Sequence, residues 1–316
     1  MTDYILLRQQ HPQASDVPAF CQPGFFFNEH EHLCQQQSGS FYLLSALNQR
    51  TNQADARCAF FVTANGIVSP VAAPFGSIEF AETLPGTVLD AFIKSLQETA
   101  RSFGASTLRL VNYPHCYAPE QANRLAVALE EQGFRLIKLH ENFFLPITER
   151  PFSATINASE RRRLRKCREA GFQVNLWPTT RVDDAINFIV EARRTKEYQL
   201  TISPEQLTTL LQKFPDQFIV FTVNDADKIA AMTVAVRVRK DILYSFLPAS
   251  NPDYQSFSPL VMLTDGLVTY CRQQGIRLLD LGVSLDNDRR PKPGLIRFKQ
   301  NLGAQSSPKM TVEKTL

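Results

Sequence analysis

The residue types able to do chemistry are spread unevenly along the chain. All the histidines (His11, His30, His32, His115, His140) precede residue 141, so the second half cannot assemble a Ser-His-Asp or Cys-His nucleophile by itself. What that half offers is Asp280 inside the apolar run Leu278-Leu279-Asp280-Leu281, Ser284 just beyond it, Tyr244 and Tyr254, and Lys299 after Arg297-Phe298. A carboxylate within an apolar strand needs a partner or a wet cleft. Pairing with an arginine is the plain account of Asp280, and a catalytic role is the other. Lys299 reads either as a solvated helix lysine or as a cation set against developing negative charge.

Arg161-Arg162-Arg163-Leu164-Arg165-Lys166-Cys167-Arg168 puts six cations into eight residues. A solvated helix face explains such a run, and so does contact with phosphate, for which Arg161, Arg162 and Arg165 are the candidates. Cys21, His30, His32 and Cys34 crowd one short span, but their spacing fits no standard zinc pattern, and no metal site is expected.

The elements that must position these groups are legible from residue 41 onward. Phe41 to Leu47 and Cys58 to Thr63 favour strands, and Asn65-Gly66 signals a hairpin. Val88, Leu89, Phe92, Ile93 and Leu96 paint one helical face. A strand at 107–111, a helix at 119–132 and a strand at 134–145 follow. After a lapse around Pro146 to Thr155 come a helix at 157–170, a strand through Trp177, two further helices, and strands at 218–223, 229–238 and 242–247. Ser258-Pro259 starts a long helix ending at Gly275; a strand at 277–282, a helix at 295–301 and a strand at 309–314 complete the order. The first thirty-odd residues read as polar and irregular, with Phe25-Phe26-Phe27 docked onto a core.

With 316 residues, 44% apolar and 21% charged, the chain suits two folded domains, placed at 1–150 and 151–316. A net charge of +3 excludes a generic basic nucleic-acid binder, so any anion affinity is local. Six cysteines without a Cys-x-x-Cys pair point to reduced thiols and a cytoplasmic location. No signal peptide or spanning stretch is read.

The order of the second half, with Leu279-Asp280-Leu281-Gly282-Val283-Ser284, Gly294-Leu295-Ile296-Arg297-Phe298-Lys299 and Gly303-Ala304, resembles the FemABX-like acyltransferases of the GCN5-related N-acetyltransferase (GNAT) superfamily. Ser153 to Gly171 and Ala73-Pro74-Phe75-Gly76 extend the resemblance. That group pairs two GNAT-type domains and includes enzymes that add amino acids to peptidoglycan precursors.

The resemblance implies an α+β (mixed α/β) fold of two tandem GNAT-like domains, the first degenerate, each a mixed, mostly antiparallel sheet flanked by helices. It implies acyl or aminoacyl transfer from an activated donor to an amine on a cell-envelope precursor, metabolite or protein. Asp280, Lys299 and Ser284 are then catalytic, Tyr244, Tyr254, Phe298 and Arg297 bind the donor, and Phe75 and Gly76 line the acceptor cleft. No tightly bound cofactor is implied; acyl-CoA or aminoacyl-tRNA is the co-substrate. The stretch 248–258 has no glycine to cradle a pyrophosphate, which keeps tRNA beside CoA as donor. The alternative is a catalytically silent protein that keeps the cleft to hold a ligand or partner.

Overall fold

A computed structural model describes residues 3–36, 41–195 and 197–316. The chain divides into unit 1, Met1–His140 with Ser307–Leu316, and unit 2, Glu141–Ser306.

In unit 1, strands β1 (Tyr4–Gln10), β2 (Phe41–Asn48), β3 (Gln53–Thr63), β4 (Gly66–Ser69) and β6 (Thr107–Val111) lie in that order, with the closing strand Gln305–Thr315 beyond β6; the two-residue β5 (Glu79–Phe80) pairs with β3. Only β4 and β6 run parallel among these pairs. The strand β1 falls in the stretch expected to be irregular. Among the described residues it pairs on one side only, with β2, and an edge strand carries too little apolar alternation to be read from sequence. Asn65-Gly66 does mark a hairpin, but Thr63 pairs with Gly66, so the loop is Ala64-Asn65. The short α1 (His30–Leu33) follows the Phe25-Phe26-Phe27 run, whose three rings are buried. Helix α2 (Gly86–Ser102) buries its whole expected stripe, and α3 (Pro119–Glu131) buries Leu125 and Leu129.

The division at 150/151 expected from the proline-bracketed lapse is not where the chain parts. Strand β7 runs unbroken from Arg135 to Pro146, and the units divide inside it. Its residues 142–146 pair with Leu278–Val283 in unit 2, whereas residues 311–315 of the closing strand pair with β6 in unit 1. A proline pair that breaks periodicity marks a loop, but strand pairing decides which sheet each segment joins.

Unit 2 continues through α4 (Phe152–Thr155), α5 (Ala158–Glu169), β8 (Gln173–Leu176), α6 (Val182–Arg194), α7 (Pro204–Lys213), β9 (Phe218–Asp225), β10 (Lys228–Arg239), β11 (Ile242–Ser245), β12 (Ala249–Ser250), α8 (Pro259–Gln273), β13 (Leu278–Val283) and α9 (Pro293–Asn301), after which the chain returns to unit 1 as β14, the closing strand Gln305–Thr315. Its sheet runs β7-β13-β11-β10-β9-β8, with β12 against β10. Leu164 and Cys167 of α5 and Val261 and Leu267 of α8 bury one core with Phe221, Val223, Leu243 and Leu279 of the sheet. Helix α6 packs on β10 and on α7.

Candidate active site

Strand alternation sets up the site. Leu243 and Leu279 enter the core shared with α5 and α8, so Tyr244 and Asp280, one residue on, face the other way. The parallel pairing of β11 with β13 covers Ile242 with Leu278, Leu243 with Leu279 and Tyr244 with Asp280, and there it stops. Both strands continue, β11 to Ser245 against β10 and β13 to Val283 against β7. The two therefore part just beyond Tyr244 and Asp280, leaving backbone groups of β13 without a strand partner on that side.

A bulge shapes the gap. The β13 register against β7 slips between Asp280 and Gly282, and Gly282 adopts φ +71°. Asp280, 2% exposed, accepts hydrogen bonds at Oδ1 from the Gly282 N–H at 2.7 Å and from Asn142 Nδ2 at 2.8 Å. At Oδ1 it is met by an asparagine from β7, where a plain structural account supposed an arginine. Helix α9 then delivers Lys299, its one buried residue. Lys299 Nζ donates to the carbonyls of Gly282 and Val283, both at 2.9 Å, and lies 5.5 Å from the Phe143 ring centre. The amine thus holds two carbonyls at the end of β13, beyond the point where β11 leaves it.

Burial pushes the Lys299 amine down to about 7, with the Asp280 carboxylate pulling the other way. Burial, reinforced by Asp280, raises the Tyr244 phenol, which stays protonated as a donor. Ser284 is buried, and its Oγ has no hydrogen-bond partner among the described residues. Its carbonyl accepts from the Lys292 N–H at 2.9 Å, which ties the segment after β13 to the start of α9.

With this geometry stands a match of residues 157–299 to the family described as an acetyltransferase (GNAT) domain. Unit 2 contains a GNAT domain. Both units carry mixed, mostly antiparallel sheets with helices, and the chain has the tandem GNAT-like architecture expected. Its fold is similar to that of FemX, at 13% identity and a TM-score of 0.67 over 87% of each chain. It is similar to L-PGS from Bacillus licheniformis, at 14% identity and a TM-score of 0.56 over 82% of this chain and 81% of that one. A tandem GNAT protein from the clavulanic acid biosynthesis pathway aligns at 12% identity and a TM-score of 0.53 over 98% of each chain. At such identities the likeness is one of fold. No curated protein sequence matches the chain.

The GNAT domain brings Asp280, Lys299, Ser284 and Tyr244 together, but not Tyr254. The Tyr254 hydroxyl donates to Asp225 at 2.9 Å, and its ring packs on Phe172. Asp225 pairs with Lys228, whereas Tyr244 pairs with Val236, farther along β10; that strand length is roughly 25 Å at ~3.3 Å per residue. Phe298 packs against the core, and Arg297 is exposed.

On α5 most of the cations are engaged. Arg161 donates to the carbonyls of Ser153 and Ile156, Arg163 to Glu160, Lys166 to the Ser256 carbonyl and Arg168 to Asp265. Arg165 sits 3.5 Å from Glu169 in an exposed pair, and Arg162 has no partner among the described residues.

In unit 1, Phe75 is 1% exposed within a ring cluster of Phe25, Phe27, Tyr113 and Tyr117. Gly76 lets the chain pass close to Ser69 and Pro70, where a Cβ would fall 2.9 Å from Ser69 Oγ and Pro70 N. Among the described residues no group of three His, Cys, Asp or Glu is placed to hold a metal ion. No helix among them is long and apolar enough to cross a membrane.

Sequence reasoning missed Asn142 and Arg193. Arg193 is half-buried, its Nε has no partner among the described residues, and burial lowers its pKa while Tyr244 and Tyr198 act against that shift. A signal existed. Arg193 follows the buried Ile186 and Ile189 of α6 at i+7 and i+4, so it stands where the apolar stripe continues. Tyr198 in turn receives a hydrogen bond from Lys292, whose Nζ lies 4.0 Å from the ring centre.

Gly282 gives a direct test of the bulge. A Cβ there would lie 3.0 Å from the Tyr244 ring at a positive φ, so Gly282→Ala should cost about 2 kcal/mol or more. Gly275 has φ +65° and nothing within 4 Å of a Cβ, so Gly275→Ala should cost about 1 kcal/mol. Urea unfolding followed by Trp177 fluorescence compares them; equal losses would mean that the Tyr244 contact is unimportant.

Proposed function

We propose that the chain transfers an acyl or aminoacyl group from an activated donor, acyl-CoA or aminoacyl-tRNA, to an amine on a cell-envelope precursor, a metabolite or a protein. The observation that supports this reading best is the buried Lys299 amine bound to the end of β13, the strand that parts from β11 just beyond Asp280 and Tyr244.

In the step envisaged, the lone pair of a neutral amine forms a bond to the acyl carbonyl carbon, and the carbonyl π pair moves to oxygen. Protonated Lys299 stabilises that oxyanion. Collapse breaks the bond to the CoA sulfur or the tRNA ribose oxygen, which leaves with the electron pair and takes up a proton, while the amine nitrogen loses one. Tyr244, held protonated, hydrogen-bonds the donor. Ser284 offers its hydroxyl to the incoming amine. Asp280 fixes the bulge and favours the charged form of Lys299. The nucleophile belongs to the substrate, so no tightly bound cofactor is required.

For the donor's phosphates the available contacts are Arg162 and Arg165 on α5, because the start of α8 lacks a glycine loop and Ser258 itself takes the left-handed conformation there, at φ +54°. Arg193 is a further cation beside Tyr244. The cysteines are all free thiols, which suits a cytoplasmic enzyme.

The test is transfer of a labelled acyl group from CoA or tRNA to amines, with Asp280→Asn beside the wild type. Removing the carboxylate charge should lower kcat/KM about tenfold and move the alkaline limb of its pH profile to lower pH. If neither donor turns over while ligands still bind, the catalytically silent binding protein is the better reading.

A further inference from the structure

Unit 1 holds a cavity of about 170 Å³ that acyl transfer in unit 2 does not use. Val17, Phe20, Leu33, Phe41 and Leu43 supply its apolar wall, and the last three come from one continuous patch, because Phe41 and Leu43 share a face of β2 and pack with Leu33. A cavity of about 150 Å³ admits a benzene ring, so there is room for one ring with a short arm.

The polar groups at this cavity carry an imbalance of charge. Arg57 is buried against Glu79, with Nε at 3.1 Å and a terminal nitrogen at 3.0 Å from one carboxylate oxygen. Glu79 also accepts from the Phe25 N–H and from Asn28 Nδ2, so its hydrogen-bonding capacity is taken up. The same guanidinium reaches Glu29 at 2.8 Å and lies 4.5 Å from the Phe20 ring centre, so its charge is answered within the protein although the side chain lines the cavity. Glu29 is 42% exposed, and the exposed Glu31 lines the same cavity. Two carboxylates, Glu79 and Glu29, therefore share one guanidinium, and Glu31 adds a further negative charge at the cavity.

Two more lining groups narrow the chemistry. His30 spends Nε2 on the Pro12 carbonyl at 2.7 Å. Ser45 is 1% exposed, and its Oγ has no hydrogen-bond partner among the described residues, an arrangement that costs stability unless something else meets the hydroxyl.

We infer that this cavity binds a small primary ammonium compound with an apolar body the size of one ring. Glu29 and Glu31 face the ammonium, the wall of Phe20, Phe41 and Leu43 takes the ring, and Ser45 Oγ supplies a hydrogen bond. The inference does not rest on the acyl-transfer reading.

Calorimetric titration of the full chain with phenethylamine, 2-phenylethanol and phenylacetate at neutral pH tests it. The amine should bind saturably with one site, about fivefold tighter than the alcohol, and the carboxylate weakest of the three. Glu29→Gln, at a side chain 42% exposed and able as an amide to keep a hydrogen bond from Arg57, should remove the preference for the amine without unfolding the protein. Ser45→Ala should weaken all binding about fivefold. Failure of phenethylamine to saturate, equal affinity for the alcohol, or a preference that survives Glu29→Gln would each overturn the inference.

Discussion

Lys299→Met is expected to lower kcat for acyl transfer about 100- to 1000-fold, the usual loss when one preorganised donor to an oxyanion is removed. KM should change little, because the contact strengthens only as negative charge develops on the carbonyl oxygen. Since the amine is held near 7 by burial, wild-type kcat/KM should fall as pH rises through that value, and the variant should lose this limb. Stability should change in the opposite sense. The folded protein binds this proton less tightly than the unfolded chain, whose lysine keeps its ordinary value of 10.5. Between about pH 7 and 10.5 the unfolded state therefore carries more protons, and wild-type stability should rise with pH by up to about 5 kcal/mol. Below that window the desolvation cost is present in full. Urea unfolding of both proteins at pH 6 and pH 10 reads the difference: an equal pH response would show that the amine is not buried as described.

Arg57→Met should be the most damaging single change in unit 1. Burial works against the guanidinium charge, and Glu79 and Glu29 overcome it, raising its pKa. The side chains of Arg57 and Glu79 are 8% and 4% exposed. Leaving Glu79 charged without its partner should cost about 3–5 kcal/mol. The double variant Arg57→Met, Glu79→Met should recover much of that loss, since two apolar side chains need no compensation. Unfolding monitored by far-ultraviolet circular dichroism checks both; a double variant no better than the single would locate the cost in packing.

Much of the fold was legible because apolar periodicity survives wherever a helix lies on a sheet. The α2 stripe and the α8 core residues Leu263, Leu267, Val268 and Cys271 are buried as their spacing requires. Strand β1 was not legible, since an edge strand of Tyr4–Gln10 spends polar side chains on solvent. Nor was the exchange between units, because residues 142–146 and 311–315 are both ordinary strand sequence and only long-range pairing assigns each to its sheet.

The burial of Asp280 was legible as a charge inside an apolar run that must be answered, whereas Lys299, between Arg297 and Gln300-Asn301, was singled out by the resemblance and not by its context. Tyr254, grouped with Tyr244 as a donor-binding residue, lies apart from it because the nine residues between them hide a turn back along β10 through β12. Arg193 was overlooked within a pair of arginines, although Arg194 bonds to Glu191 on the outer face and leaves Arg193 the inner position.

The placement of β14 has a consequence for biosynthesis. When the ribosome has translated as far as Asn301, every strand of the unit 2 sheet has been made, yet β6 still lacks Thr311–Thr315 beside it. Domains generally fold in the order in which they are made. Here the half translated first must wait longest for its final strand.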